Sequence, residues 1–276
     1  MKSKVSIIIP CYNQGQYVDD AVSSCLAQTY DNIEIIIVND GSTDKFTNDF
    51  LSKYRRPKTK VINKRNEGLA EARNTGINNA TGKYILPLDA DDKIAPTYVE
   101  KAVQIIEQDE SVGIVYCLAE YFGVKQGLWR LKEYKFPDIL NSNCIFCTAL
   151  FRRSDWEKVG GYRKEMLYGW EDYEFWLSLI EKGVGVYRLP EVLFYYRQHN
   201  ISMATQIIGE RQRFLFNKLF AFHGNLYKKN YKHLDESVRT MFDTFCGKKA
   251  PFFYKEKTKT HKIYHLGKLV IKFKRK

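Results

Sequence analysis

The sequence predicts an α/β protein in which a mostly parallel sheet carries helices on both faces, followed by a basic, helical C-terminal region. Three observations carry this prediction. Short β-rich apolar runs alternate with segments of helical spacing over the first 116 residues, the runs end in polar and acidic residues, and the charge is divided unevenly along the chain.

Taken in order, VSIIIP (5–10) reads as the first strand, and Val18, Val22, Cys25 and Leu26 space a helix after it. IEIIIV (33–38) is the second strand, with Phe46, Phe50 and Leu51 on the helix that follows. KVI (60–62) leads to Leu69, Ala72 and Ile77, and KYILPL (83–88) leads to Val99, Val103 and Ile106 before VGIVY (112–116). Runs of this kind are strands buried on both faces, and strand–helix–strand order places the crossover helices on those faces. Beyond residue 117 the alternation weakens. GWEDYEFWLSLI (169–180) sets Trp170, Tyr173, Leu177 and Ile180 on one helical face, EVLFYYRQH (191–199) reads as a strand, and a basic helical region begins near 206. There is no internal repeat and no low-complexity linker.

The 276 residues suffice for one large domain, or one domain with an appendage, and 44% hydrophobic with 14% aromatic content excludes a disordered chain. The formal charge of +12 is not spread evenly: residues 1–205 hold 26 Lys and Arg against 27 Asp and Glu, whereas residues 206–276 hold 18 against 5. A neutral working part and a basic attachment region facing a polyanion are expected, the polyanion being anionic lipid or nucleic acid. The apolar run Val5 to Ile9 is too short for a signal peptide and no stretch reaches 18 apolar residues, so a cytosolic protein is expected, with its six cysteines as thiols. Cys144 and Cys147 form a single C-x-x-C without a second pair or a flanking His, and read as ordinary buried cysteines. Neither G-x-G-x-x-G nor G-x-x-x-x-G-K-[ST] occurs, which argues against a dinucleotide fingerprint and a P-loop.

In open α/β sheets ligands bind at the carboxyl ends of the strands. Here those ends read Cys11-Tyr12-Asn13, Asn39-Asp40-Gly41-Ser42 and Asp89 to Asp92. Capping of a helix with Pro96 in its first turn accounts for Asp91 or Asp92. Three carboxylates converging at one strand end are better explained by Mg²⁺ or Mn²⁺, which takes oxygen ligands, offsets their repulsion and grips substrate phosphates. In VNDGSTD (38–44), Gly41 suits a turn and Ser42 or Thr43 a helix cap, which leaves Asp40 to accept a hydrogen bond from a nucleotide base.

SIIIPCYN, VNDGSTD, NEGLAEARNTGINNATGKYILPLDADD and GWEDYEFW, in that order over roughly residues 3–200, resemble the successive motifs of family 2 glycosyltransferases of the GT-A, Rossmann-like fold. The resemblance implies inverting transfer of a sugar from a nucleotide donor, usually UDP-linked, to a hydroxyl of a saccharide or lipid-linked acceptor, plausible in bacterial surface polysaccharide assembly. It divides residues 1–205 into a nucleotide-binding half (1–116) and an acceptor-binding half (117–205), with 206–276 outside it. Carried over residue by residue, Pro10 and Tyr12, with Asn13 beside them, border the uracil, and Asp40 binds its ring N–H. Arg73 and the Asn66–Gly68 turn lie near the base or diphosphate, and Asp89, with Ala90 after it, faces the ribose or nearby donor groups. Asp91 holds the metal, Asp92 is the alternative ligand in a motif that reads D-A-D-D, and His199 lies near the metal and diphosphate. Glu171 and Asp172 match the family's E-D pair, with Asp172 as the base. Inverting transfer needs a base opposite the leaving group and a cation for the charge growing on the diphosphate, and aromatic surroundings with an adjacent acid would raise the pKa of Asp172. Read without the resemblance, Glu171 and Asp172 are acids at a helix N-terminus.

In residues 262–276 helical spacing sets Ile263, Leu266, Leu269, Val270 and Phe273 on one face and Lys262, Lys268, Lys272, Lys274, Arg275 and Lys276 elsewhere. This reads as an interfacial helix on anionic lipid, at the inner face of the membrane, or as a packed terminal helix. No nucleic-acid-binding module is recognised. A nucleotidyltransferase would need a Gly-rich loop after the first strand, where PCYNQGQ has only Gly15; a non-catalytic basic binding module is the other alternative. Oligomeric state is not legible.

Overall fold

The computed structural model describes residues 2–200 and 206–248 in full and the backbone of 253–257, 261–266 and 269–274. Two compact units emerge: Met1–Tyr134 with Cys144–Ile207, and Lys135–Asn143 with Ile208–Lys276.

The first unit opens with β1 (Val5–Cys11), α1 (Gly15–Leu26), β2 (Ile33–Asp40), α2 (Lys45–Lys53), β3 (Thr59–Lys64), α3 (Leu69–Asn78) and β4 (Tyr84–Pro87). These four strands lie parallel in the order β3-β2-β1-β4. Ile7, Ile8, Ile9, Ile35 and Ile37 have no exposed surface, as expected for strands covered on both faces. Helix α3 lies close on this sheet because Gly76 has no side chain: a Cβ there would fall 2.3 Å from Ile8 Cγ2.

After β4 come β5 (Lys93–Ile94), α4 (Tyr98–Gln108), β6 (Val112–Gly123), β7 (Gly127–Trp129), β8 (Leu150–Arg152), α5 (Arg153–Val159), α6 (Glu171–Glu181) and β9 (Gly185–Gln198). The sheet continues from β4 as β8-β6-β9-β5, with β7 added to β6. Strand β8 runs antiparallel between β4 and β6, while β6 and β9 run parallel over their length. The two residues of β5 pair with Tyr195 and Phe194 of β9, which ties the chain just after the aspartates to the strand leading to His199. Helix α4 begins at Tyr98, so Asp91 and Asp92 do not cap it; β5 lies between.

In the second unit, α7 (Glu210–Lys229), a 3-10 turn (Tyr231–His233) and α8 (Glu236–Phe245) pack Phe220 against Tyr227 and Phe242, with ring centroids 4.9 and 5.1 Å away. The segment Lys135–Asn143, expected inside the acceptor-binding half, belongs here. Asn141 donates to the carbonyl of His233 at 3.1 Å and accepts from the Asp235 N–H at 2.7 Å, and Ile139 and Leu140 are buried. Helices after residue 206 agree with expectation, but the terminal helix does not. The described residues there are three antiparallel strands, β10 (Phe253–Lys257), β11 (His261–Leu266) and β12 (Leu269–Lys274), with Ile263 opposite Lys272 and Leu266 opposite Leu269. The physical reason lies in LVIKFK, where Leu269, Ile271 and Phe273 recur at period two and β-branched and aromatic residues favour an extended backbone. Lys268, Arg275 and Lys276 lie outside the described residues. No helix among the described residues is long and apolar enough to cross a membrane.

Candidate active site

A cavity of about 450 Å³ opens at the carboxyl ends of β1, β2 and β4, within the first unit. Pro10, Tyr12, Asp40, Gly68, Asp89, Asp91, Glu171 and His199 line it, so eight of the residues singled out in the sequence converge there. Asn13, Arg73, Ala90, Asp92 and Asp172 do not line it, and each has an identifiable position behind or beside the wall.

At the β2 end, Asp40 is nearly buried, and its carboxylate organises the loop before α3. Oδ1 accepts from Lys64 Nζ at 3.0 Å and from the Glu67 N–H at 3.1 Å, and Oδ2 accepts from the Gly68 N–H at 2.9 Å. A carboxylate accepts about four hydrogen bonds, so one lone pair of Oδ2 remains for a ligand. Gly41, at φ +66°, lets the two loops touch, since a Cβ there would lie 2.4 Å from the Asn66 backbone nitrogen. Asn13 staples β1 to the loop after β2: its Oδ1 accepts from the Thr43 and Asp44 N–H groups at 2.7 and 3.1 Å. The cap of α2 is Asp44, which accepts from the Thr47 N–H at 2.7 Å; Ser42 instead accepts from the Asn13 N–H. Tyr12 stands at the rim, 45% exposed.

At the β4 end, Arg73 is wholly buried behind the cavity, between Glu171 and Asp89. Its Nη1 bonds Glu171 Oε1 and its Nη2 donates to Asp89 Oδ1 at 2.7 Å. Burial works against the guanidinium charge, and Asp89 and Glu171 more than offset it, holding the pKa well above the usual arginine value. On the other side of Asp89, the Cys147 thiol donates to Oδ2 at 3.5 Å; burial and then the Asp89 charge push that thiol well up, so it stays protonated. Arg73 and Cys147 thus hold Asp89 in a fork.

Asp91 faces the cavity with its Oδ2 2.8 Å from His199 Nε2. Burial, then the charge of Asp89, raises its pKa, with His199 acting in the opposite direction. Asp92 differs from the ligand role considered for it. It has no exposed surface, its Oδ1 accepts from the Arg197 N–H at 2.7 Å, and Oδ2 is buried with no hydrogen-bond partner. Burial, and then Asp91 and Asp89, push its pKa well up, and the residue sits behind the wall. Arg197 holds this turn: Nε donates to the Asp91 carbonyl and Nη2 to Asp20, each at 2.8 Å, with its guanidinium between the rings of Tyr17 and Phe122.

Glu171 and Asp172 form the first turn of α6, after Gly169 at φ +111° and Trp170 at φ +62°. The half-buried Asp172 accepts from the Tyr173 N–H at 2.7 Å. Its pKa rises to about 7, through burial first and the Glu171 charge second, with Arg73 opposing. A helix N-terminus favours the carboxylate form, so here burial outweighs the dipole. That is the value of a general base at neutral pH. Tyr196 and Arg197 carry no motif in the sequence, and Cys147 reads there only as an ordinary buried cysteine. Tyr196 lies on the cavity wall and carried a readable signal, since it shares a face of its strand with Phe194 and Gln198.

The family model described as "Glycosyl transferase family 2" matches residues 6–168. The chain belongs to this family. The putative teichuronic acid biosynthesis glycosyltransferase TuaG of Bacillus subtilis is 32% identical over 211 residues, 74% of this chain and 82% of that protein. Several curated relatives are longer, and the chain spans 65 to 69% of their length. Among solved structures, S. aureus TarS 1–349 in complex with UDP-GlcNAc superposes with a TM-score of 0.63 at 16% identity, covering 99% of both chains. The mannosyltransferase PcManGT from Pyrobaculum calidifontis, in complex with GDP-Man and Mn²⁺, gives 0.64 at 18% identity over 90% of this chain and 75% of that one. The family 2 transferase therefore has the expected GT-A architecture, and its cavity is that of a glycosyltransferase with relatives in polysaccharide biosynthesis.

Its donor set also fits a divalent cation. A carboxylate and an imidazole meet on the wall at 2.8 Å, and the charge of Asp89 acts on that carboxylate. Among the described residues no group of three or more His, Cys, Asp or Glu is placed to hold a metal alone. Two protein ligands leave positions for water and substrate phosphate.

Proposed function

We propose that this chain transfers a sugar from a nucleotide-sugar donor, UDP-linked in preference, to a hydroxyl of a saccharide or lipid-linked acceptor in cell-surface polysaccharide assembly, with inversion and with Mn²⁺ or Mg²⁺. The observation that carries the reading is the one cavity lined by Asp40, by Asp91 and His199 2.8 Å apart, and by Glu171, whose neighbour Asp172 has its pKa raised to about 7. The donors named for the two solved relatives, UDP-GlcNAc and GDP-Man, support a nucleotide sugar.

The free lone pair of Asp40 accepts the N–H of the base, while Pro10 and Tyr12 flank the ring. Asp91 and His199 would hold the cation, which when bound would stabilise the negative charge on the departing diphosphate. Asp172 takes the proton from the acceptor hydroxyl as that oxygen attacks the anomeric carbon opposite the leaving group, and the nucleoside diphosphate departs. Arg73 fixes Glu171 and Asp89 in place, so the sugar meets a preset wall. Residues 1–116 serve the donor together with His199, and the rest of 117–134 and 144–205 serves the acceptor. We place the chain in the cytoplasm at the inner membrane face, held through the positive charge of residues 206–276.

The test is a screen of UDP-, GDP- and dTDP-sugars with Mn²⁺, read as released nucleotide, alongside thermal shift with the free nucleotides. Stabilisation by UDP only with Mn²⁺, and loss of turnover in Asp172→Asn, are expected. Turnover surviving in that variant would overturn the assignment of the base. Sedimentation with phosphatidylglycerol vesicles, absent with phosphatidylcholine, checks the membrane placement.

A further inference from the structure

A row of aromatic rings leads away from the acidic end of the cavity across one face of the sheet. Side chains alternate along strands, so residues level with each other on neighbouring strands share a face. The register sets Ala119 of β6 between Trp129 of β7 and Phe194 of β9, and Tyr121 between Gly127 and Tyr196. Trp129, Tyr121, Phe194 and Tyr196 therefore stand on the same face. Trp129 is 4.9 Å from Tyr196 at 30° and 5.4 Å from Tyr121 at 25°, between centroids. Phe194 and Phe146 beneath are buried, but Tyr121, Trp129 and Tyr196 are only half-buried and present part of their rings to solvent.

The row is continuous with the site. Tyr196 belongs to the cavity wall, and burial, followed by the charges of Asp92 and Asp89, raises its hydroxyl pKa, which places that end of the ring in the field of the aspartates. At the far end, Lys125 Nζ lies 3.9 Å over the Tyr121 ring. Whatever lies on this face ends beside the acids, where the reaction needs an attacking hydroxyl.

We propose that Trp129, Tyr121 and Tyr196 form the acceptor subsite and that it holds a saccharide, with pyranose rings lying on the aromatic faces. This rests on the transferase reading of the cavity. Aromatic faces carry partial negative charge, and the C–H bonds on one face of a pyranose ring present partial positive charge to them. Equatorial hydroxyls at the sugar's edge then meet Lys125 and water. A lipid tail would require a closed apolar groove, which half-exposed tyrosines edged by a lysine do not provide.

The test uses the full chain with UDP and Mn²⁺. Cellotetraose, chitotetraose and maltotetraose are titrated and read by saturation-transfer NMR on the sugar protons. We expect at least one to bind, with Trp129→Ala weakening it tenfold or more, Trp129→Phe restoring most of the affinity, and the thermal shift produced by UDP retained in both variants. Tyr121→Leu, at the rim, gives the same ordering if Trp129→Ala does not fold. Binding by none of the three sugars, unchanged affinity in the variants, or preference for polyprenyl phosphate in detergent over every sugar would overturn the proposal. Failure of UDP to stabilise the wild-type protein would instead remove the donor reading on which it rests.

Discussion

Replacing Glu171 with Gln removes one of the two charges that hold the pKa of Asp172 near 7. Burial is the larger cause and remains. Carboxylates on consecutive residues lie roughly 7 Å apart, and at an effective dielectric of about 20 two unit charges at that separation interact by about 2.4 kcal/mol. One pH unit corresponds to about 1.4 kcal/mol, so complete loss of the repulsion would lower the pKa by rather more than one unit. Arg73 already neutralises much of the Glu171 charge through a direct ion pair, which reduces the effect to about one unit. The sign is fixed: a carboxylate raised by burial and a like charge ionises more readily once that charge is gone. The base must be ionised to act, so kcat/KM of the wild-type protein rises with pH to a plateau above about 7, and in the variant this limb moves down to about pH 6. The assay is nucleotide release against pH at subsaturating donor, with thermal melts confirming folding at each pH. A limb that stays in place or moves upward would show that Asp172 is not the group being titrated.

Arg73→Met leaves Glu171 and Asp89 without their counter-charge; breaking such a buried pair costs about 3–5 kcal/mol, and for a chain of this size calorimetry should show a fall in melting temperature on the order of 10 °C. Gly76→Ala drives a methyl into Ile8, which costs about 1–3 kcal/mol in urea unfolding with an unchanged slope. Cys147→Ser keeps a donor for Asp89 whereas Cys147→Val removes it, so the valine variant should lose several-fold more turnover than the serine variant while both still bind UDP. Arg197→Ala frees the Asp91 carbonyl and Asp20, and titration calorimetry should show Mn²⁺ affinity with UDP reduced about tenfold.

The parallel half of the sheet was legible because its strands are covered on both sides, so Ile7–Ile9 and Ile35–Ile37 appear as uninterrupted apolar runs. Asp40, Asp89 and Asp91 were legible from their place at strand ends. What the sequence hid depends on contacts across long separations. Asp91 and Asp92 look equivalent in D-A-D-D, and only Arg197, 105 positions later, takes one of them into the wall. Nothing near Arg73 in the sequence announces its partner Glu171, 98 positions away. Cys147 drew notice as half of a C-x-x-C, a pattern that points to metals and conceals a thiol serving a single carboxylate. The tail was misread because LVIKFK satisfies both a helical and a two-residue period, and local sequence does not choose between them.

The nine residues Lys135–Asn143 are made in the middle of the chain but find their partners only at 208 and beyond. During synthesis Asn141 leaves the ribosome 92 and 94 residues ahead of His233 and Asp235, which it binds. The C-terminal unit therefore cannot close in step with translation, and Ile139 and Leu140 stay uncovered for several seconds at ordinary elongation rates. Shortening the gene after codon 207 would make that exposure permanent.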